Sequence, residues 1–360
     1  MKAAVLHAPN QPLTIEDVEI DKPGRREVLI RTSVAGLCHS DLHFIEGKYP
    51  WPTPAVLGHE SAGVVEAVGE DVTYVKPGDH VITCLSVFCG HCEFCLTGHM
   101  SICNNTDVKL MPGVAKRMRW NGKQLNQFMN LSSFAEQMLV HEHALVKVRP
   151  DMPLELAALI GCGVITGYGA VVHTAGVQPG DSVAVIGCGG IGLSAINGAA
   201  IAGAGRIIAV DRDPVKLEMA RKFGATDVVD ASDGTAKGQV QELTAGGVQW
   251  SFECVGLKQT VEEAFGMLRQ GGTATVIGMV PFGTKIELHA ADFLRERRIQ
   301  GSSMGSNRFR VDMPRLVDFY LQGKLRLDDL LSGRIALSQI NEGFEAMKKG
   351  GIARNVIVFD

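Results

Sequence analysis

One stretch limits the possible fold more than any other. Residues 182–205 carry no charged side chain over 24 positions, and seven glycines interrupt them. A membrane-spanning helix would not hold so many breaks, so the stretch reads as a buried strand at 183–186, a tight turn, and a helix at 191–202. The turn is Gly187-Cys188-Gly189-Gly190-Ile191-Gly192. Glycines at its first, third and sixth positions allow a sharp reversal, the approach of a pyrophosphate to the main chain, and close helix-to-strand packing. A glycine-rich packing turn is the plainer alternative. Against it stands Asp211, 19 residues beyond Gly192, at the end of a second strand at 206–210. A carboxylate there accepts hydrogen bonds from ribose hydroxyls and repels a 2′-phosphate, which favours NAD over NADP. Arg212 beside it points the other way, because a guanidinium accommodates a phosphate.

The rhythm around this turn is that of an α/β chain. Asp213 caps a helix with Pro214 in its first turn and Gly224 beyond its end. Strands are expected at 227–229, 248–253 and 273–278, with a helix at 260–269, giving a parallel, doubly wound sheet. The first 150 residues differ. Short β-rich runs at 28–33, 63–68 and 80–83 alternate with turns such as Lys22-Pro23-Gly24 and Lys76-Pro77-Gly78-Asp79, the mark of a mostly β domain. The last fifty or so residues read as two helices and a closing strand at 355–359 that rejoins the first domain. A chain of 360 residues is two domains long at roughly 150 residues each.

Charge narrows the partners. Lys and Arg number 35 against 39 Asp and Glu, for a net charge of -4 with no basic run. Neither nucleic acid nor an anionic membrane is an expected partner, which leaves a small molecule. Residues 1–10 hold only a four-residue apolar run, so neither a signal peptide nor an anchor is expected, and the cytoplasm is the expected compartment.

Nine cysteines is an odd number, and Cys89, Cys92, Cys95 and Cys103 crowd together as Cys-x2-Cys-x2-Cys-x7-Cys. Two-residue gaps turn successive thiolates onto one centre, and four thiolates satisfy tetrahedral zinc with no position left open, a structural site. An iron-sulfur cluster uses the same donors. Cys38 in Gly36-Leu37-Cys38-His39-Ser40-Asp41-Leu42-His43, His59 in Gly58-His59-Glu60-Ser61-Ala62-Gly63, and Cys162 in Gly161-Cys162-Gly163 are candidates for another metal. A catalytic zinc takes three protein ligands, and two cysteines with one histidine is a known set. Singly, each is more often a core residue than a ligand. Asp41 and Glu60 are the nearest acids, and a metal-bound histidine usually donates its other N–H to a carboxylate.

In combination, over nearly the whole chain, these motifs resemble the zinc-containing medium-chain alcohol dehydrogenases. The resemblance rests on residues 36–43, Gly58-His59-Glu60-x2-Gly63-x5-Gly69, the four-cysteine loop, Gly161-Cys162-Gly163-x2-Thr166-Gly167-Tyr168-Gly169, the 187–192 turn with Asp211, and Arg354. It implies a GroES-like β-barrel catalytic domain, residues 1–163 completed by 304–360, plus a Rossmann NAD-binding domain at 164–303. It implies two zincs per chain, with Cys38, His59 and Cys162 holding the catalytic one. Ser40 and His43 would form a proton relay, with Asp41 and Glu60 beside the ligands. Lys216 would contact the adenosine ribose, His39 and Arg354 the pyrophosphate, and Thr166 the nicotinamide, with Gly187, Gly189, Gly190, Ile191 and Gly192 forming the cradle. The implied activity is the NAD-dependent oxidation of alcohols to aldehydes or ketones. Zinc acidifies a bound hydroxyl, and the free pKa of histidine, about 6.5, suits His43 to proton exit.

Departures from the family pattern bear on substrate. The glutathione-dependent formaldehyde dehydrogenase branch carries acids in the loop that here reads Lys48-Tyr49-Pro50-Trp51-Pro52-Thr53-Pro54, which has none. Positions matching the family's substrate wall, Leu85, Phe128, Met129 and Met279 with Trp51 nearby, are apolar. A hydrophobic primary alcohol, aromatic or medium-chain, is therefore expected, with secondary alcohols also within reach. A polyol dehydrogenase of the same fold is the alternative enzyme, though those relatives usually carry an acid where this chain has Cys162. A non-catalytic zinc- and dinucleotide-binding redox sensor is the alternative of another class. A homo-oligomer is expected, and the 24 residues between Cys103 and Phe128 favour a dimer over a tetramer.

Overall fold

The computed structural model describes residues 1–109, 117–350 and 354–359. Part of the connection from Cys103 to Phe128, on which the dimer expectation rests, thus lies outside the described residues. Two compact units divide the chain: Met1–Cys162 with Arg308–Asp360, and Gly163–Asn307. From sequence the divisions are expected after residues 163 and 303.

The first unit is built on the strand Glu27–Gly36. Val28, Ile30, Thr32 and Val34 point inward at every second position, and Val28 and Ile30 pack with Val65, Val81, Met138 and Val140. This strand pairs antiparallel with Ser61–Val68, with Gln137–His141 and with the closing strand Arg354–Val358. Val356 lies opposite Gly36 and Val358 opposite Val34, so the C-terminal segment is part of the first unit's sheet. The strand Leu331–Ile335, parallel to Arg354–Val358, is not expected from sequence. Its Leu-Ser-Gly-Arg-Ile run is only partly buried, and the register shifts between Leu331 and Gly333, which hides a two-residue period. A second sheet carries Lys2–Leu6 near one edge and Lys123–Gln127 in its interior.

The second unit is a six-stranded sheet in the order Asp227–Asp230, Arg206–Asp211, Ser182–Ile186, Val248–Glu253, Leu268–Val276, Arg298–Gly301, every pair parallel. Val183, Ala184, Val185 and Ile186 are all buried, as a strand covered on both faces requires. The uncharged stretch is thus a strand, a turn and the helix Gly190–Ala202. Asp213 caps the next helix, Pro214–Lys222, by accepting the Val215 N–H at 2.9 Å, and Gly224 follows at φ +111°. After the helix Ala236–Leu243, which is not expected from sequence, the helix Lys258–Gly266 starts two residues earlier than expected, because Glu253 Oε1 accepts from the Val255 and Gly256 N–H groups and from Thr260 Oγ1 and so fixes its start. The strand that follows begins at Leu268 instead of 273. Among the described residues the helical run Leu154–Ala175 is long and apolar enough to cross a membrane, but it is mostly buried within protein.

Candidate active site

Three elements of the first unit bring Cys38, His59 and Cys162 together. All three are buried, and their ligand atoms lie within 4.8 Å of one another. Cys38 ends the turn after Glu27–Gly36 and is the N-cap of the helix His39–Ile45. His59 follows Gly58, whose φ of +94° and lack of room for a side chain against Ser133 and Phe134 make glycine necessary there. Cys162 sits in a π-helical turn, Ile160–Val164, inserted in the helical run. Such turns reorient one side chain of a helix and cluster at functional sites. Gly161 before it lets the backbone approach the strand His80–Thr83, where a Cβ would come 2.9 Å from the Thr83 carbonyl.

The two expected acids separate in role. Asp41 Oδ1 accepts from His59 Nδ1 at 3.0 Å and from the Gly58 N–H at 3.2 Å, all buried. That bond leaves Nε2 as the free ligand atom of His59. Glu60 does not back a ligand. Its carboxylate is fully buried 3.8 Å from the Arg354 guanidinium, which also donates to the Leu37 carbonyl at 3.1 Å. Gly36 makes way for it, since a Cβ there would meet Glu60 Oε1 at 2.2 Å. Arg354 is therefore buried behind Cys38 and anchored in the first unit.

The charges suit a cation. A hydrogen bond from Cys162 and the nearby Arg354 hold the Cys38 thiol well below its usual range, while the same pairing and burial push Cys162 up. The pair thus favours a thiolate at Cys38, and Asp41 holds the His59 ring in place beside it. Two sulfurs and an imidazole nitrogen within reach of one centre, with no fourth Cys, His, Asp or Glu donor among the described residues, fit a zinc that keeps one position open.

Ser40 Oγ lies 3.6 Å from Cys38 Sγ. His43, one helical turn on, is half-buried beside Tyr49, and its Nδ1 is buried with no hydrogen-bond partner among the described residues. Burial, and then Lys48, lower its pKa below the ordinary histidine value. His39 is exposed.

The four-cysteine loop closes on itself. Cys89 and Cys95 sulfurs are 3.9 Å apart, and those of Cys92 and Cys103 are 3.8 Å apart. A tetrahedron of about 2.3 Å zinc–sulfur bonds has edges of about 3.8 Å, whereas a disulfide needs about 2.05 Å. The donor set therefore fits a tetrathiolate metal. Against burial, the N–H groups of His91 and Cys92 pull the Cys89 thiol down to about 6, and burial pushes Cys95 up to about 12.

In the second unit the glycines of the 187–192 turn divide their labour. Gly187 has φ +91°, and a Cβ on Gly192 would sit 1.7 Å from the Gly187 carbonyl. Gly189 is different: nothing of the protein lies within 4 Å of where its Cβ would be. That open cradle, with Gly190 and Ile191 beginning the helix, fits a pyrophosphate at a helix N-terminus. Asp211 Oδ2 accepts the Cys188 N–H at 2.7 Å, and Oδ1 accepts the N–H groups of Arg212 and Asp213. It braces the turn, a role the sequence does not show, and keeps lone-pair capacity on Oδ2. Arg212 is exposed and Lys216 half-buried on the helix behind it. Thr166 is buried, with Oγ1 3.5 Å from Met304 Sδ.

The expected apolar wall assembles only in part. Trp51 and Phe128 meet edge to face at 4.9 Å, and Phe128 lies 6.0 Å from the His59 ring. Phe44, which sequence reasoning misses, completes the trio at 5.8 Å from Trp51 and 4.8 Å from Phe128. Its signal is its place one residue after His43 on the helix that follows Cys38. Met129 follows Phe128 at φ 47°. Leu85 is partly buried against the first unit's apolar core, which includes Cys89 and Cys103, and Met279 belongs to the second unit, with its backbone against Gly256.

Residues 24–151 match the model of the alcohol dehydrogenase GroES-like domain, and residues 190–322 that of the zinc-binding dehydrogenases. The chain is 41% identical over 364 residues to the S-(hydroxymethyl)glutathione dehydrogenase of Haemophilus influenzae, covering 99% of this chain and 96% of that one. It is 40% identical to the class-3 alcohol dehydrogenase of Drosophila melanogaster, with 99% and 97% covered. Among solved structures, the benzyl alcohol dehydrogenase of Acinetobacter calcoaceticus superposes with a TM-score of 0.94 at 33% identity, covering 100% and 99% of the two chains. With both domains matched and both sulfur clusters assembled in space, the chain belongs to the zinc-containing medium-chain alcohol dehydrogenase family.

Proposed function

We propose that this protein interconverts alcohols and their aldehydes or ketones with NAD, and that its preferred substrates are hydrophobic primary alcohols, aromatic or medium-chain. The observation that carries the reading is the convergence of Cys38, His59 and Cys162 with Ser40 and His43 beside them. When bound, zinc supplies a Lewis acid at the hydroxyl oxygen and NAD accepts the hydride. The chain's own residues do the rest. Asp41 orients the His59 ring, and Ser40 Oγ accepts the hydroxyl proton while giving up its own to the nicotinamide ribose of bound NAD, which passes a proton on. His43, kept neutral by burial, receives that proton and passes it to solvent. Phe128, Phe44 and Trp51 exclude water and present an apolar face to the substrate chain. Gly189 makes room for the pyrophosphate, and Asp211 Oδ2 accepts from the adenosine ribose. Arg354 and Glu60 act behind Cys38, where the guanidinium supports the thiolate.

The sequence similarity to S-(hydroxymethyl)glutathione dehydrogenases supports a second reading, the glutathione adduct of formaldehyde as substrate. The acid-free 48–54 loop and the aromatic trio favour the first. NADH formation with benzyl alcohol, octanol, sorbitol and formaldehyde plus glutathione separates them. Highest kcat/KM is expected with benzyl alcohol, and a preference for the adduct would overturn the substrate reading. Gly189→Ala should weaken NADH binding by at least about 10-fold without changing stability, because its Cβ meets no protein atom.

The described residues also favour a homodimer. None of residues 276–304 is buried, Phe282 and Leu294 are 82% and 89% exposed, and Arg298–Gly301 is an open sheet edge. Free thiols at metal-ligand spacing suit a reducing cytoplasm.

A further inference from the structure

Lys109 is a charged side chain that the catalytic reading does not use. It stands six residues beyond Cys103, and its Nζ donates to the Cys103 carbonyl. That bond places the half-buried ammonium against the four-cysteine loop, where the thiols of Cys103, Cys95 and Cys92, and of Cys84, act on its charge. Four thiolates around a divalent zinc leave a net charge of two minus. Cys89 and Cys103 are buried and Cys92 and Cys95 half-buried, so water screens that charge only in part. The His91 and Cys92 N–H groups serve Cys89, but neutral dipoles do not cancel a net charge.

We propose that Lys109 is the charge partner of the tetrathiolate zinc site, a positioning residue whose ammonium slows loss of metal from the loop. The proposal rests on the reading of this cluster as a zinc site. It assigns Lys109 no part in turnover.

The test is zinc release from the holoenzyme into a chromogenic chelator, followed in time. Cys103→Ser identifies which phase belongs to the four-cysteine loop, because that variant lacks it. Lys109→Met and Lys109→Gln should release that zinc about 10-fold faster, the lower end of what loss of an outer-shell partner costs. Lys109→Arg should restore the wild-type rate. Added salt should speed release from wild type but not from Lys109→Gln, since screening weakens only a charge interaction. Release at the wild-type rate from both Met and Gln variants would overturn the proposal, as would an Arg variant no slower than Met. A wild-type protein with no phase that Cys103→Ser removes would instead overturn the zinc reading of the loop, and the role of Lys109 with it.

Discussion

Cys89, Cys92, Cys95 and Cys103 come from 15 consecutive residues, whereas Cys38, His59 and Cys162 are gathered from across 125. The local cluster sets four like donors at the corners of a closed tetrahedron, and much of what holds them is the loop itself. The dispersed cluster offers three donors of two kinds, each placed by a different element: a helix N-cap, the residue after a left-handed glycine, and a π-helical turn. It also carries what the local cluster lacks, a serine, a half-buried neutral histidine and an apolar aromatic face. A site that assembles within one loop stabilises that loop. A site that exists only once the sheet has formed inherits the geometry of the sheet, and has room left over for chemistry.

The contrast breaks first at Cys162. Cys162→Ser should lower kcat/KM by at least about 10³-fold, the equivalent of several kcal/mol of Lewis-acid stabilisation, while the fold stays within about 1–2 kcal/mol of wild type by denaturant melts. Retained turnover would erase the difference between the clusters. Cys103→Ser should do the reverse, losing metal and roughly 2–4 kcal/mol of stability while the specific activity of the folded fraction changes little. Asp41→Asn should cost about 10–100-fold in activity or metal retention, because His59 loses the partner that fixes its ring. An unchanged metal content and rate in that variant would make the Asp41 contact merely structural.

The smallest effect sharpens the account most finely. Burial puts His43 below its ordinary value of about 6.5, so the rate of alcohol oxidation should hold to below that pH and then fall as the ring takes up a proton. His43→Gln should remove that inflection and slow oxidation above it by about 10-fold, less than the roughly 10²–10⁴-fold of a base acting in the transition state. The same inflection in the variant would place the titrating group elsewhere. The sign for stability agrees: a histidine with a depressed folded pKa leaves stability complete above the unfolded value, and stability falls as pH drops through it.

What the sequence made legible follows the same division. The four-cysteine loop and the 187–192 turn could be read because spacing along the chain is spacing in space. Asp211 could be placed beside the turn, but not seen to brace it, because the bond to the Cys188 N–H depends on the register of two parallel strands. Asp41 and Glu60 are both acids next to ligands, and only the approach of Arg354 from the closing strand, 294 positions after Glu60, tells them apart. Leu85 reads as substrate wall by position, and its packing against the first unit's apolar core depends on contacts that spacing along the chain does not show. The strand Leu331–Ile335 escaped because a glycine and two polar residues mask its period.

The most direct test of the dispersed cluster is a crystal of the native protein measured on both sides of the zinc absorption edge. The account predicts an anomalous peak at bonding distance, about 2.0–2.3 Å, from Cys38 Sγ, His59 Nε2 and Cys162 Sγ, beside a second peak among the four clustered sulfurs. A fully loaded crystal showing only the second peak would contradict it.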